Sequence, residues 1–145
     1  MLQPDGSLLV GGGNPPKGNY TVAARTPLKG ITAFRLEAMT DATLPQLGPG
    51  RVGNFVLSEF RAMAAPAGVA GAAAQAVAFA KVTADFAQGG FPVENTIDDK
   101  PDTGWAVHPE IGRPHVAVYE TQAPIAGGDG GTAGDQSYVL KCAGS

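Results

Sequence analysis

The sequence feature that most limits the fold of this chain is its high content of glycine and proline, which end helices and strands. The chain has 21 glycines and 12 prolines among 145 residues, about twice their usual combined share of roughly 12%. They cluster at residues 11–16, 48–53 and 89–92, and clusters of this kind mark turns and loops between helices or strands. The apolar runs between them are short, which predicts strands joined by loops. Because 145 residues with 43% hydrophobic content fit one domain with a real core, we predict a single all-β domain over residues 1–145.

Short apolar runs, most of them alternating, mark the predicted strands. They lie at residues 7–10, 19–24, 31–38, 54–62, 77–85, 105–107, 115–120 and 138–141. The pattern has no strand–helix–strand rhythm, which favours antiparallel sheets in a β-sandwich or a barrel. The Ala- and Gly-rich residues 62–76 predict a loop between strands, with a short helix at 71–77 as the alternative.

Charge and cysteine content exclude several kinds of partner. The net charge is −3 and the pI is about 5.2, so we expect no binding to nucleic acid or to anionic lipid. Residues 63–80 form the longest nearly uncharged stretch, but they contain few large apolar side chains, so we expect no membrane span. The single cysteine, Cys142, supplies neither a disulfide framework nor a zinc set.

The sequence contains partial matches to dinucleotide-binding and metal-binding motifs, but the neighbouring residues do not fit either kind of site. Residues 48–53 match the G-x-G-x-x-G spacing of dinucleotide-binding loops. That loop must open a helix, whereas a strand is predicted at 54–62, so we interpret 48–53 as a turn that needs glycine conformations. His108 and His115 are seven residues apart across prolines, which matches no common metal spacing, and G-x-S-x-G is absent. We therefore predict structural or surface histidines and no enzyme activity.

Oxygen-bearing side chains crowd one turn before the only tryptophan. Asp98, Asp102 and Thr103 are of the ligand types that calcium prefers, so they predict a structural calcium site. A cation-free turn closed by Asp and Thr side chains is an equally good interpretation. Trp105 follows directly. We predict that it fills the core, although an indole can also stack on a sugar.

The run from Ile97 to Trp105 resembles the I-D-G-x-P-x-T-x-W turn of discoidin-like modules, the coagulation factor type C group of the galactose-binding fold. Further segments are similar to the domain embedded in planctomycete-type cytochrome c multidomain proteins. These are residues 48–51, 53–60, 84–86, 90–93, 105–109 and 112–115. The resemblance implies an antiparallel β-sandwich of jelly-roll kind, export to the periplasm or cell exterior, a structural calcium ion, and binding to carbohydrate.

Two features depart from that family. Its members usually have Gly and Asp where this chain has Asp99 and Lys100, and a lysine ammonium in that loop repels a divalent cation. Relatives continue into further strands after the loop at 127–131, whereas residues 133–145 form an atypical tail. We therefore expect a sandwich that is incomplete at both ends, with unpaired sheet edges.

Loops at one end of the predicted sandwich are the candidate ligand site. Two loops carry its polar side chains: residues 40–53 with Arg51, and residues 106–115 with His108 and Arg113. The arginines can donate forked hydrogen bonds to sugar hydroxyls or to an acidic polysaccharide. The alternative is internal pairing of Arg51 with Glu59 and of Arg113 with Glu110.

Two functions remain open from the sequence. One is a non-catalytic carbohydrate-binding module of an exported protein, and the other is a structural domain that docks and orients neighbouring haem or catalytic domains without binding a glycan. A sugar binder is expected to expose an aromatic ring. Only Tyr20, Tyr119 and Tyr138 are left for that purpose once Trp105 is placed in the core.

Overall fold

The computed structural model describes residues 1–13, 15–66, 72–125 and 136–144. The all-β prediction is confirmed in these ranges. The strands are β1 (Gly18–Thr26), β2 (Ile31–Ala38), β3 (Leu57–Pro66), β4 (Gln75–Ala76), β5 (Phe79–Ala84), β6 (His115–Ile125) and β7 (Gln136–Gly144). Two short 3₁₀ helices, Pro45–Leu47 and Val93–Ile97, lie between strands. Within the described ranges, no helix is both long and apolar enough to cross a membrane.

The strands form two antiparallel sheets. One has the strand order β1-β7-β3-β4, and the other has the order β2-β6-β5. The tail at 136–144 is an inner strand, because β7 pairs with β1 on one side and with β3 on the other. Its backbone is therefore hydrogen-bonded along both edges, and the four-stranded sheet depends on these residues.

Five predicted strands are confirmed and two are wrong. The confirmed ones are 19–24, 31–38, 77–85, 115–120 and 138–141, which lie in or largely overlap β1, β2, β5, β6 and β7. The predictions at 7–10 and 105–107 are wrong, because each run contributes only one isolated bridge. The glycines at 11–13 end the first run. In the second run, the N–H of Val107 donates to the side chain of Asn54 instead of a strand neighbour.

The Ala-rich stretch is largely extended. β3 begins at Leu57, three residues after its predicted start, and continues to Pro66. The predicted loop at 62–76 is therefore wrong in two places, at residues 62–66 and in β4. The helix alternative for 71–77 is wrong too, because residues 72–74 are irregular and β4 follows; residues 67–71 lie outside the described residues. Hydrogen bonds to β7 and β4 outweigh the helix propensity of alanine here.

A β-bulge in β3 decides which of its side chains face the core. The register against β7 gains one extra residue between Leu57 and Glu59. Leu57 and Phe60 are consequently both core residues, although an unbroken alternation would place them on opposite faces. Glu59 and Arg61 lie on the face of β3 opposite Phe60, where their charged groups approach each other.

Side chains from both sheets meet in one core. Phe60 of β3 stacks on Tyr119 of β6 with ring centroids 3.8 Å apart. The rings of Phe34 and Phe79, from β2 and β5, lie tilted against Phe60 at 6.4 and 5.6 Å. Because each aromatic side chain buries a large apolar area, these contacts hold the two sheets together.

Trp105 is part of this core, as predicted. It is 0% exposed, and its indole N–H donates to the carbonyl oxygen of Phe86 at 2.8 Å. Its backbone exchanges two hydrogen bonds of 2.9 Å with Leu57 of β3. Gly104 permits this close approach, because a Cβ there would lie 2.7 Å from Cγ1 of Val56. The indole is therefore not available for stacking on a sugar.

Candidate functional site

The two loops predicted as a ligand site lie side by side. They are residues 40–53 and 106–115, termed the paired loops. The backbone N–H of Gly112 donates to the carbonyl oxygen of Gly48 at 2.8 Å. This hydrogen bond fixes one loop to the other, so the three predicted ligand-binding residues lie on adjoining segments.

A tight hairpin presents Arg51 at the tip of the first loop. Gly50 and Gly53 exchange two backbone hydrogen bonds of 2.9 and 3.0 Å, which leaves Arg51 and Val52 as the turn residues. A Cβ on Gly50 would lie 1.8 Å from the carbonyl oxygen of Asn54, so only glycine fits there. The G-x-G-x-x-G match is therefore a turn, as predicted, and a strand follows it.

Asn54 connects this hairpin to the second loop. Its side-chain oxygen accepts from the backbone N–H of Val107 at 3.1 Å, and its Nδ2 donates to Oε1 of Gln88 at 3.1 Å. The backbone N–H of Gln88 in turn donates to the carbonyl oxygen of Ala106 at 2.8 Å. Because the backbone of both loops is fixed in this way, their side chains are preorganised for contact with a ligand.

The guanidinium of Arg51 is occupied by the N-terminal segment. It donates to the carbonyl oxygens of Gly12 and Gly13, each at 2.6 Å. The alternative pairing of Arg51 with Glu59 is wrong, because the cation that faces Glu59 is Arg61. A ligand can therefore reach Arg51 only through its remaining N–H groups or by displacing the glycine segment.

Arg113 and His108 lie on the outer side of the second loop. Arg113 is exposed and pairs with Glu110 at 3.2 Å, while Asp85 lies 3.9 Å away. The pairing alternative is thus confirmed for this arginine. His108 is exposed, in a turn closed by a 2.8 Å hydrogen bond from the Glu110 N–H to the Val107 carbonyl. Exposed ion pairs are weak, so Arg113 and Glu110 can exchange partners with a ligand at little cost.

His115 has a structural role, as predicted. It is 0% exposed, its Nε2 donates to the carbonyl oxygen of Glu110 at 2.7 Å, and its Nδ1 lies 3.0 Å from a carboxylate oxygen of Asp85. Both ring nitrogens therefore face oxygen acceptors when Asp85 is ionised. An Asp–His pair suggests hydrolase chemistry, but Glu110 caps the nitrogen that would take a proton from a nucleophile.

Asp85 joins the end of β5 to the beginning of β6. Its carboxylate accepts from the backbone N–H of Val116 at 2.8 Å and faces His115. Burial raises the pKa of Asp85, but the Val116 N–H and the charge of His115 lower it more, so the pKa lies below the ordinary aspartate value. Asp85 is therefore ionised at neutral pH and stabilises the base of the second loop.

The predicted calcium turn is closed by its own side chains. It comprises residues 98–103, termed the acidic turn. The carboxylate of Asp98 accepts from the Thr103 hydroxyl at 2.9 Å and from the Lys100 backbone N–H at 2.9 Å. This is the cation-free arrangement that the sequence left open.

Asp102, the third predicted calcium ligand, points outward. Its carboxylate lies 3.5 Å from Nζ of Lys17, and both side chains are strongly exposed. Among the residues that the structure describes, no three His, Cys, Asp or Glu side chains converge as a metal set. The calcium ion stays a prediction.

Thr96 anchors the acidic turn to the core. Its hydroxyl lies 2.7 Å from the carbonyl oxygen of Val93 and 3.0 Å from the hydroxyl of Tyr119. A carbonyl only accepts, so Thr96 donates to Val93 and Tyr119 donates to Thr96. Both hydroxyl-bearing residues are 0% exposed. The 3₁₀ helix that leads into the acidic turn is therefore held at a fixed position.

Glu59 belongs to the same region, although it is not among the predicted site residues. It is 8% exposed, and its Oε1 is buried without a hydrogen-bond partner. Burial raises the pKa of Glu59, Arg61 lowers it, and Asp99 and Asp98 raise it again, so the pKa lies above its ordinary value. The sequence signal for Glu59 is an acidic residue within an apolar strand, two positions from an arginine.

Comparisons with known proteins give no match to this chain. No family model matches it, and no curated protein or solved structure is significantly similar to it. The resemblance to discoidin-like modules and to the planctomycete-type cytochrome c domain therefore stays a prediction from the quoted residues.

Proposed function

We propose that the chain is a non-catalytic carbohydrate-binding module, folded as a discoidin-like jelly-roll β-sandwich within an exported multidomain protein. Two antiparallel sheets with a shared aromatic core support the sandwich. The family resemblance supports the export and the ligand class. Asp85 and His115 stabilise the fold in this proposal, since neither ring nitrogen of the buried histidine is open to a substrate.

The observation that carries the proposal is the set of planar polar groups on the second loop and beside it, at the end of β5. Arg113, Glu110 and Asp85 form a chain of ion pairs at 3.2 and 3.9 Å, and His108 is exposed on the same loop. Sugar hydroxyls donate and accept hydrogen bonds, so they match alternating guanidinium, carboxylate and imidazole groups. The rigid backbone beneath these groups reduces the entropy lost on binding.

A structural calcium ion is part of the proposal. Asp98, Asp102 and Thr103 are the residues that would hold the ion, once Asp98 releases the Thr103 hydroxyl and the Lys100 N–H and Asp102 turns away from Lys17. Bound calcium would supply positive charge that neutralises these carboxylates. Lys100 opposes this, but its side chain is exposed, where water screens its charge.

A docking module is the second candidate, and exposed apolar side chains favour it. On the first loop, Leu47 and Val52 are 51% and 67% exposed, and nearby Met39 is 44% exposed. Exposed apolar side chains that recur within one segment, here residues 39–52, are typical of protein contacts. An aromatic platform is also sparse among the described side chains, because Tyr119 is in the core and Tyr20 on β1 is only 37% exposed; the side chain of Tyr138 lies outside the described residues.

Retention of the purified chain on insoluble polysaccharides tests the carbohydrate proposal. Cellulose, chitin, xylan and calcium alginate sample neutral and acidic glycans. We expect saturable retention on at least one of them, reduced about tenfold or more by Arg113→Ala, because a forked charge-assisted contact is lost. Arg35→Ala is the matched control, since Arg35 is similarly exposed and pairs with one carboxylate, Glu37, within β2 rather than on the paired loops.

The two candidate functions predict different outcomes of this assay. Retention that survives Arg35→Ala but not Arg113→Ala supports carbohydrate binding by the second loop. The absence of retention on all four polysaccharides contradicts the proposal and supports the docking module.

A further inference from the structure

Arg51 carries a positive charge that no carboxylate faces among the described residues. The guanidinium groups of Arg35, Arg61 and Arg113 lie 2.6, 2.9 and 3.2 Å from an Asp or Glu oxygen. Both partners of Arg51 are instead neutral carbonyl oxygens of the glycine segment. Arg51 is also half-buried, so its charge is screened less than an exposed one. The tip of the first loop therefore attracts an anion.

Two consecutive carbonyl groups occupy the end of the Arg51 guanidinium. Nη1 donates to the oxygen of Gly13 and Nη2 to that of Gly12, each at 2.6 Å. A carboxylate also presents two oxygens to a guanidinium, in the same forked manner. A carbonyl oxygen has only a partial negative charge, whereas a carboxylate adds the attraction between two full charges. A carboxylate is therefore expected to bind this end of Arg51 better than the two glycines do.

The glycine segment at residues 11–13, termed the glycine strap, has few contacts that oppose its release. All three glycines are exposed, and a Cβ on any of them would meet nothing within 4 Å. Residues 1–9 close on themselves, with the Leu9 N–H donating to the Met1 carbonyl at 2.9 Å. Within the described residues, the hydrogen bonds that join this N-terminal part to the later chain both come from Arg51. The strap can therefore leave Arg51 without breaking another of these hydrogen bonds.

We infer that the glycine strap competes with the ligand for Arg51, and that Arg51 takes the carboxylate of a uronic acid unit in an acidic glycan. This inference rests on the proposed carbohydrate function and names its ligand class. Arg113 supplies a second guanidinium on the adjoining loop, which the hydrogen bond between Gly112 and Gly48 holds in place. A polyuronate carries a carboxylate on each unit, so its charge complements a surface with more than one arginine.

Weakening the glycine strap is expected to strengthen the binding of an acidic glycan. Gly12 has a φ of +89°, which a β-branched residue adopts only with strain. Gly12→Val therefore disfavours the conformation that presents both carbonyls to Arg51. We expect its Kd for alginate oligosaccharides to be about fivefold lower than that of the wild-type chain. Gly11→Val is the matched control, because Gly11 is equally open but has no positive φ; its Kd is expected to stay within about twofold of wild type.

A double-mutant cycle tests whether the competition takes place at Arg51. Arg51→Gln removes the charge, so we expect alginate oligosaccharides to bind about tenfold more weakly. In that background nothing is left to compete for, and Gly12→Val is expected to change the Kd by less than about twofold. Arg25→Gln is the control for charge, because it removes an exposed arginine from β1, where it is expected to have little effect.

Isothermal titration of the full chain with short alginate oligosaccharides measures these affinities, with xylo-oligosaccharides as the neutral counterpart. The fluorescence of the single, buried Trp105 reports that each variant is folded. In the labelled wild-type chain, the carbonyl resonances of Gly12 and Gly13 are expected to shift when alginate fragments are added, because their oxygens exchange the guanidinium for water. Unchanged carbonyl resonances in the bound state would show that the strap stays on Arg51, and would overturn the inference.

The outcomes distinguish this inference from the carbohydrate proposal beneath it. Tighter alginate binding by Gly12→Val, but not by Gly11→Val or in the Arg51→Gln background, supports both. An alginate Kd that Gly12→Val leaves unchanged, or a gain that persists in Arg51→Gln or is equally large with xylo-oligosaccharides, overturns the inference and leaves the carbohydrate site standing. If neither wild type nor Gly12→Val binds alginate, the inference is overturned, and the carbohydrate proposal falls with it only when all four insoluble polysaccharides also fail to retain the chain.

Discussion

Replacing Asp85 with alanine is expected to destabilise the fold far more than replacing it with asparagine. The carboxylate accepts from two donors, the N–H of Val116 at 2.8 Å and Nδ1 of buried His115 at 3.0 Å. Alanine leaves buried His115 without this partner and the Val116 N–H to water. A hydrogen bond to a charged group contributes about 1.5–3 kcal/mol, and the Asp85 side chain is 37% exposed, which reduces the loss. We therefore expect Asp85→Ala to lower the free energy of unfolding by about 2–4 kcal/mol.

Asparagine keeps both contacts in a neutral form. Its amide oxygen can accept from Val116, and its Nδ2 can donate to Nδ1 of a neutral His115, whose Nε2–H still donates to Glu110. We expect Asp85→Asn to cost about 1 kcal/mol.

Urea denaturation followed by the fluorescence of buried Trp105 measures both variants of Asp85. Glu37→Ala is the control, because Glu37 pairs only at the surface and its loss is expected to change the free energy of unfolding by no more than about 0.5 kcal/mol. If Asp85→Ala and Asp85→Asn differ by less than about 0.5 kcal/mol, the account of His115 as a buried donor held by Asp85 is refuted.

Two further changes test the scaffold and its charges. Gly50→Ala places a methyl group 1.8 Å from the carbonyl oxygen of Asn54, so we expect a loss of about 3 kcal/mol or more in urea denaturation. Gly89→Ala, where a Cβ meets nothing within 4 Å, is expected to stay within about 1 kcal/mol of wild type; equal losses would contradict the packing argument. The folded-state pKa of Asp85 lies below its unfolded value, so its ionisation stabilises the fold above about pH 4 and this contribution is lost as the pH falls through the folded pKa. The stability difference between wild type and Asp85→Asn is therefore expected to shrink below about pH 4, and a constant difference down to pH 2 would contradict the assignment.

The strands with clear alternation could be predicted from the sequence, and those without it could not. β2 matches its prediction at both ends, because apolar residues recur between Gly30 and the loop that follows Ala38. β6 continues five residues past its predicted end, through a polar segment with Pro124, because pairing of Ile125 with Ile31 of β2 supports it. That support comes from another part of the chain, which local periodicity does not record.

Neither the Ala-rich end of β3 nor its bulge could be predicted from the sequence, and the reasons differ. Alanine has no large side chain with which to show a buried face, so residues 62–66 carry no period-two signal. The bulge between Leu57 and Glu59 reverses which of the alternating side chains of β3 face the core. Simple alternation would place residues 57, 59 and 61 on one side, whereas Leu57 faces the core with Phe60, and Glu59 faces the acidic turn.

The candidate site was predicted in its parts but not in its contacts. The paired loops lie together, because Gly112 bonds to Gly48, and the Arg113–Glu110 pair, one of the alternatives from the sequence, joins residues only three apart. The contact of Arg51 with Gly12 and Gly13 joins segments 38 and 39 residues apart, and residue spacing gives no information on such a contact. The role of Glu59 depends on the bulge in the same way.

An amide NMR titration of the labelled chain with soluble glycan fragments tests the central proposal most directly. Alginate, xylan and chitin oligosaccharides are added in turn, and the shifted resonances are mapped onto the chain. The proposal predicts saturable shifts concentrated in residues 48–53 and 106–115, with β1 and β2 unchanged. Shifts confined to other surfaces, or none with any of the three fragments, would contradict a carbohydrate site on the paired loops.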